Sequence, residues 1–261
     1  MSKKLLSLIL CIVMVASLLA GCGGTSSTPA QSSAPPASSK PADPAPEAKP
    51  ADDEELNFAI IVKSYQSTYW LAAVKGAQEQ MKIKGVNATF NGPNSESDIA
   101  DQVQMFNDAI NSKPDGIGLA ACDPSAMLDA LQAAKEAGIP VIAFDSGIPD
   151  APAGSVLATA STDNYKAGVT AAEGIWTALE SRVKNASGKI RIGVVNQDAT
   201  SESITSRGLG FIDKIFELCK AAGKSPAVVG NDYYVGKAKD KGNEGSADVI
   251  IEVRVPSQTT T

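Results

Sequence analysis

The sequence contains no histidine. That absence removes Ser-His-Asp triads, histidine-assisted cysteine nucleophiles and histidine-ligated zinc. Positive charge is also scarce: the formal net charge is -6, and a nucleic-acid surface would need a clustered basic face. Aromatic residues make up 5% of the chain against 43% hydrophobic residues, which suits a core of small aliphatic side chains packed between helices and sheets. Phosphate-binding patterns are missing as well. The first strand-to-helix loop, "KSYQSTYW", has no glycine where a dinucleotide site needs G-x-G-x-x-G, and neither G-x-x-x-x-G-K-[ST] nor G-x-S-x-G occurs. Nothing here points to an enzyme, a cofactor or a resident metal.

Cysteine is sparse, and one residue of the four stands out. Lys3 and Lys4 precede an apolar run from Leu5 to Leu18, closed by Leu19-Ala20-Gly21-Cys22. About 14 residues are too few for the ~20 of a spanning helix, so residues 1–22 read as an export signal. "LAGC" resembles the bacterial lipobox, which implies acylation of Cys22 and a lipid anchor on the outer face of the cytoplasmic membrane. Cys11 leaves with the signal, and Cys122 and Cys219 read as buried small hydrophobes, not as a disulfide. Residues 23–55 are Ser, Pro and Ala of low complexity. They have almost nothing to bury, so they read as a disordered tether with a reach of roughly 30 Å.

Folded sequence starts at Leu56. "LNFAIIVK" is a strand, and Trp70, Val74, Ala77 and Met81 fall on one helical face. A strand over 86–90, a helix with Ile99, Val103, Phe106 and Ile110 inward, and the strand "PDGIGLAAC" follow. Asp123 caps the next helix, with Pro124 at its first position. The alternation predicts parallel strands whose βα loops open at one edge. The fourth strand, in "AGIPVIAFDSG", is apolar on both faces, as a central parallel strand would be. It runs into Asp145, at the strand end where open α/β sheets hold ligands.

A fifth apolar segment, 155–160, completes a first lobe over 56–160. The pattern then restarts over 161–261, with the crossing near 160–164. It predicts a helix over 165–181, a strand over 189–195, a helix over 204–222 with Ile204, Phe211, Ile215 and Leu218 inward, a short segment at 227–229, a polar stretch over 234–246 and a last strand "ADVIIEVRV". The fold class is therefore α/β: two Rossmann-like lobes with parallel sheets. With two firm strands and two helices the second lobe is expected to be truncated, as in a fragment or a shortened gene product.

The motifs "GAQEQ", "KPDGIGLAACDP", "AAKEAGIPVIAFDS", "STDNYKAG" and "SRGLGF", in this order and spacing, resemble the sugar-binding proteins of bacterial ABC importers, of the ribose-binding, type I periplasmic fold. The resemblance implies a two-lobed clamp that closes over a sugar and docks on a permease driven by an ATPase. It implies ligand contacts from Ser67, Tyr69 and Trp70 after the first strand, from Lys63 as in members that bind sugar-like signal molecules, and from Asp145. It places Ser146 where the family often has Arg, Asp163 and Asn164 at the hinge crossing, and Arg207 in the "SRGLGF" segment, two positions after Thr205, where some members keep a gripping arginine. Most of these residues keep a plainer alternative. Asp145 could cap a turn, Trp70 and Tyr69 could be core, Asp123 could be a helix cap, Asp163 and Asn164 could turn the chain, Lys63 could be a solvated charge and Arg207 could form an internal ion pair.

The function expected is capture of a pentose or related small polyol by an exported, lipid-anchored monomer, for an ABC permease and ATPase. The alternative is a sensor of the same fold that presents a sugar or signal molecule to a membrane receptor kinase. A sugar-responsive repressor would need an N-terminal DNA-binding helix pair, where this chain has a signal and tether.

Overall fold

A computed structural model describes residues 55–256, all within one compact unit, Asp52–Thr261. The signal, Cys22 and the tether lie outside the described residues. The elements run β1 (Asn57–Ile61), α1 (Thr68–Lys84), β2 (Asn87–Asn91), α2 (Ile99–Asn111), β3 (Gly116–Leu119), a 3-10 turn (Ser125–Met127), α3 (Leu128–Glu136), β4 (Val141–Phe144) and β5 (Ala158–Ala160). The second lobe follows with α4 (Asn164–Asn185), β6 (Ile190–Val195), α5 (Glu202–Ala221), β7 (Pro226–Gly230), α6 (Asp232–Lys237) and β8 (Val249–Arg254).

The first sheet has the order β2-β1-β3-β4-β5, and every pair is parallel. Ala59, Ile61, Ile117, Leu119, Val141 and Ala143 turn one face toward Phe106 of α2 and Met127, Leu131 and Ala134 in and around α3. On the other face Trp70 and Val74 of α1 pack with Val62 and Ala120. Trp70 and Val74 are the buried residues of α1, and Ala77 and Met81 are half-buried, as the 3.6-residue spacing predicts. One expectation fails at β4. Ile142 is 44% exposed, where β4 lies next to the short edge strand β5.

The second sheet has the order β6-β8-β7, again all parallel. It differs from the start of the first sheet, where β1 lies inside β2 and β3. Here the last strand is central, and composition explains it: Val249, Ile250, Ile251 and Val253 are all buried, so β8 needs neighbours on both edges. The segment around 227–229 is a full strand, and the polar stretch after it contains α6, a helix absent from the sequence reading. Helix α5 is rotated from its expected face. Ile212, Ile215, Phe216 and Cys219 are buried, while Ile204, Phe211 and Leu218 are only half-buried.

Helices α4 and α5 pack at backbone distance. A Cβ on Gly168 would lie 2.0 Å from the Arg207 carbonyl oxygen, and one on Gly210 would lie 2.1 Å from that of Tyr165. These two glycines let the second lobe's helices touch, and Arg207 is carried on that contact.

Candidate functional site

Asp145 leaves β4 in an unusual backbone state. Its φ is 63°, and Ser146 N donates to the Phe144 carbonyl at 2.7 Å, closing a three-residue turn around it. A non-glycine residue at this φ is uncommon, and asparagine and aspartate tolerate it best. Such strain tends to mark a position held for a purpose. The turn directs the carboxylate at Lys63, which follows β1, and Lys63 Nζ lies 2.8 Å from Asp145 Oδ2. Lys63 itself is only 1% exposed. Its backbone is fixed by Gln102 of α2, a fully buried amide that donates to the carbonyls of Val62 and Ala120 and accepts from Cys122 N.

Around this pair lies a cleft of about 330 Å³ lined by Lys63, Ser67, Tyr69, Trp70, Glu96 and Asp145 of the first lobe and Gln197, Ser203, Ile204 and Arg207 of the second. Larger hollows of about 440 and 780 Å³ occur elsewhere, but their walls come from the second lobe alone. Unlike them, this cleft has walls from both lobes and holds the Lys63–Asp145 pair, which makes it the candidate.

The aromatic wall is ordered by polar contacts. Trp70 donates its indole N–H to Glu96 Oε1 at 2.8 Å, stands edge-on to Tyr69 with ring centroids 5.1 Å apart and packs near Phe144. Tyr69, 64% exposed, donates its hydroxyl to Asp145 Oδ1 at 3.3 Å. Desolvation, then the Asp145 charge and hydrogen bond, hold the Tyr69 phenol above its usual range, so it remains a donor at neutral pH. Across the cleft Gln197 Nε2 donates to Glu96 Oε2 at 3.0 Å, and Gly147 N donates to Glu202 Oε2 at 3.1 Å.

The formal charges of the lining are balanced: two cations, Lys63 and Arg207, against two carboxylates, Glu96 and Asp145. With flat aromatic surface and both donors and acceptors, the cleft suits an uncharged polyhydroxyl ligand, whose C–H face can lie on a ring while its hydroxyls meet charged partners. Among the described residues no cluster of three or more histidine, cysteine, aspartate or glutamate side chains is arranged to hold a metal ion.

Six of the residues singled out in the sequence line this cleft: Lys63, Ser67, Tyr69, Trp70, Asp145 and Arg207. Trp70 is at once core and wall, being 3% exposed. Lys63 is not a solvated charge, because four oxygens surround its ammonium group. Ser146 is buried behind Asp145 with its hydroxyl 2.5 Å from Lys63 Nζ. Asp123 stands outside the lining and accepts from Ser125 N and Ala126 N, so its carboxylate is taken up as a cap. Asp163 likewise caps α4, accepting from Lys166 N at 3.0 Å. Asn164 is buried and accepts from Arg207 at 2.5 Å, so this contact of Arg207 is to an amide and not to an acid. Thr205 is buried and donates to the carbonyl of Ser201, one turn back along α5. Glu96, Gln197, Ser201 and Ser203 escaped the sequence reading. They lie in the polar loops "NGPNSES" and "NQDATSES", where nothing local separates them from their neighbours.

The sequence profile of the periplasmic binding protein domain family matches residues 58–250. The chain belongs to this family. Among periplasmic binding proteins it is 28% identical over 172 residues to the ribose import binding protein of Bacillus subtilis, covering 63% of this chain and 51% of that protein. It is 26% identical over 148 residues to the D-allose-binding periplasmic protein of Escherichia coli, covering 51% of this chain and 48% of that one. A crystal structure of an ABC transporter solute-binding protein from Agrobacterium vitis with bound D-fucose is 30% identical, covers 69% of each chain and superposes with a TM-score of 0.55. The chain spans about half the length of the curated relatives it matches.

Proposed function

We propose that this periplasmic binding protein is an extracytoplasmic lipoprotein that captures a neutral sugar, a pentose or related small polyol, between its two lobes and delivers it to an ABC permease. The observation that carries the reading is the interlobe cleft, in which the Asp145 carboxylate, the Tyr69 and Trp70 rings and a balanced set of charges converge. Its volume of about 330 Å³ is at the small end of ligand pockets, which run from roughly 300 to 1,000 Å³. The relatives named for ribose and D-allose, and the structure holding D-fucose, support the same ligand class.

In this reading Asp145 and Glu96 accept hydrogen bonds from sugar hydroxyls, Arg207, Gln197 and Ser67 donate, and the sugar's apolar face lies against the exposed Tyr69 ring. Hydrogen bonds to charged groups contribute about 1.5 to 3 kcal/mol each, so Asp145 and one or two charged neighbours dominate affinity. The protein acts as a monomer held to the membrane by acylated Cys22, and it binds its solute without transforming it. Thermal melting against a panel of pentoses, hexoses, sugar acids and amino sugars tests the proposal. A neutral sugar should raise the melting temperature more than its charged analogues. A shift confined to sugar acids or amino sugars, or no shift with any sugar, would overturn it.

A further inference from the structure

Lys63 lines the cleft, yet its ammonium group is fully engaged by the protein. It has four oxygens in reach: Ser146 Oγ at 2.5 Å, Ser201 Oγ at 2.7 Å, Asp145 Oδ2 at 2.8 Å and Ser203 Oγ at 3.1 Å. An ammonium group has three N–H donors. With four acceptors for three donors and 1% exposure, no donor is left for a ligand.

The four oxygens belong to two lobes. Asp145 and Ser146 follow β4, whereas Ser201 and Ser203 lie at the start of α5. Ser203 Oγ also donates to Asp145 Oδ2 at 3.3 Å and accepts from Ser146 Oγ at 3.0 Å. A buried cation shared between the halves of a clamp is satisfied in this way only while the clamp is shut. When the lobes part, Lys63 keeps the first-lobe pair and gives up both second-lobe serines. The hydroxyls are suited to that exchange, because water can replace them on either side. A second carboxylate there would leave an uncompensated charge.

We propose that Lys63 is a positioning residue and not a ligand contact: it holds Asp145 Oδ2, leaves Oδ1 toward the cleft, and through Ser201 and Ser203 draws the lobes together before a ligand arrives. A ligand then meets a clamp already biased toward its closed form, which lowers the conformational cost of binding. The role in affinity rests on reading the cleft as a sugar site, whereas the closure does not.

The experiment is therefore made first without sugar. Cysteine substitutions of Lys82 on α1 and Lys184 on α4, both exposed, would carry spin labels on the full chain, and the distance distribution between them would be read by pulsed electron resonance. The parent protein should show one dominant short population. Lys63→Met should shift weight to longer distances, the pair Ser201→Ala with Ser203→Ala should do the same, and the three combined should go no farther than Lys63→Met alone. An unchanged distribution in the serine pair would overturn the proposal, even if Lys63→Met fails to fold. So would a shift in Lys63→Met with none in the serine pair, or additive shifts, since the lysine would then act within its own lobe. Repeating the measurement with D-ribose and D-fucose separates the two readings. Loss of the short population in the variants with no response of any form to sugar would leave the latch standing and count against the sugar assignment.

Discussion

Glu96 and Gln197 come from different lobes and meet at 3.0 Å, while the other oxygen of Glu96 accepts the Trp70 indole N–H at 2.8 Å. One carboxylate thus orients the aromatic wall and reaches across the cleft. Glu96→Ala should remove both contacts. A hydrogen bond to a charged group contributes about 1.5 to 3 kcal/mol, so sugar affinity should fall by roughly 10- to 100-fold in calorimetry. Trp70 fluorescence should also respond to denaturant earlier than in the parent. Unchanged affinity would show that Glu96 has no part in the site.

The contact of α4 with α5 predicts a sharper effect on stability. Gly210→Ala places a Cβ 2.1 Å from a backbone carbonyl oxygen, which no rotamer change can relieve. Overpacking of this severity costs about 3 kcal/mol, and the melting temperature should fall by roughly 10 °C. Gly174→Ala on the same helix pair meets nothing within 4 Å and should leave melting unchanged or raise it slightly. Equal melting temperatures for the two variants would contradict this packing.

The two described cysteines should be chemically silent. Burial pushes the Cys122 thiol up to about 12 and the Cys219 thiol up to about 11, from an ordinary value of 9.0. Both stay neutral in the folded state, while in the unfolded chain they ionise from about pH 9. Their contribution to stability is therefore complete below about pH 9 and is lost as the pH rises through the folded values. Native protein should resist thiol alkylation at these two positions until it is unfolded. Melting temperatures should decline above about pH 9, less steeply in Cys122→Ala than in the parent.

The lipid anchor is tested in living bacteria. Metabolic labelling with a clickable fatty acid should mark the parent chain, and Cys22→Ser should abolish the mark. Labelling that survives Cys22→Ser would remove the anchor from the account.

Much of this fold was legible because parallel α/β units leave periodic marks. Phe106 and Trp70 fell on apolar helix stripes, and Asp145 stood at the end of an apolar strand bounded by Gly138, Pro140 and Gly147. The partner of Asp145 was not legible. Lys63 is brought to it by β1 and β4, which are separated in the sheet by β3, and no local pattern records which strand ends become neighbours. Ser201 and Ser203 were hidden for a related reason. In the sequence they resemble ordinary helix-start residues, and only the approach of the second lobe makes them partners of a buried cation. The central place of β8 was likewise invisible, because strand order depends on crossovers that composition constrains only through burial. Asp123 and Asp163 show the reverse case: acids in loops on the right edge whose carboxylates the nearby backbone N–H groups had already claimed.

The central claim is that the Asp145 carboxylate holds a neutral sugar in the interlobe cleft. Its most direct test is thermal melting at millimolar sugar, for the parent, Asp145→Asn and Asp145→Ala. Asparagine tolerates the positive φ, whereas alanine does not, and removing the carboxylate strands the buried Lys63 at a cost of about 3 kcal/mol. Both variants should therefore melt below the parent without sugar, with alanine the lower. The account predicts that at least one pentose or small polyol raises the parent's melting temperature and that neither variant responds. A sugar-induced shift retained in Asp145→Ala would contradict it.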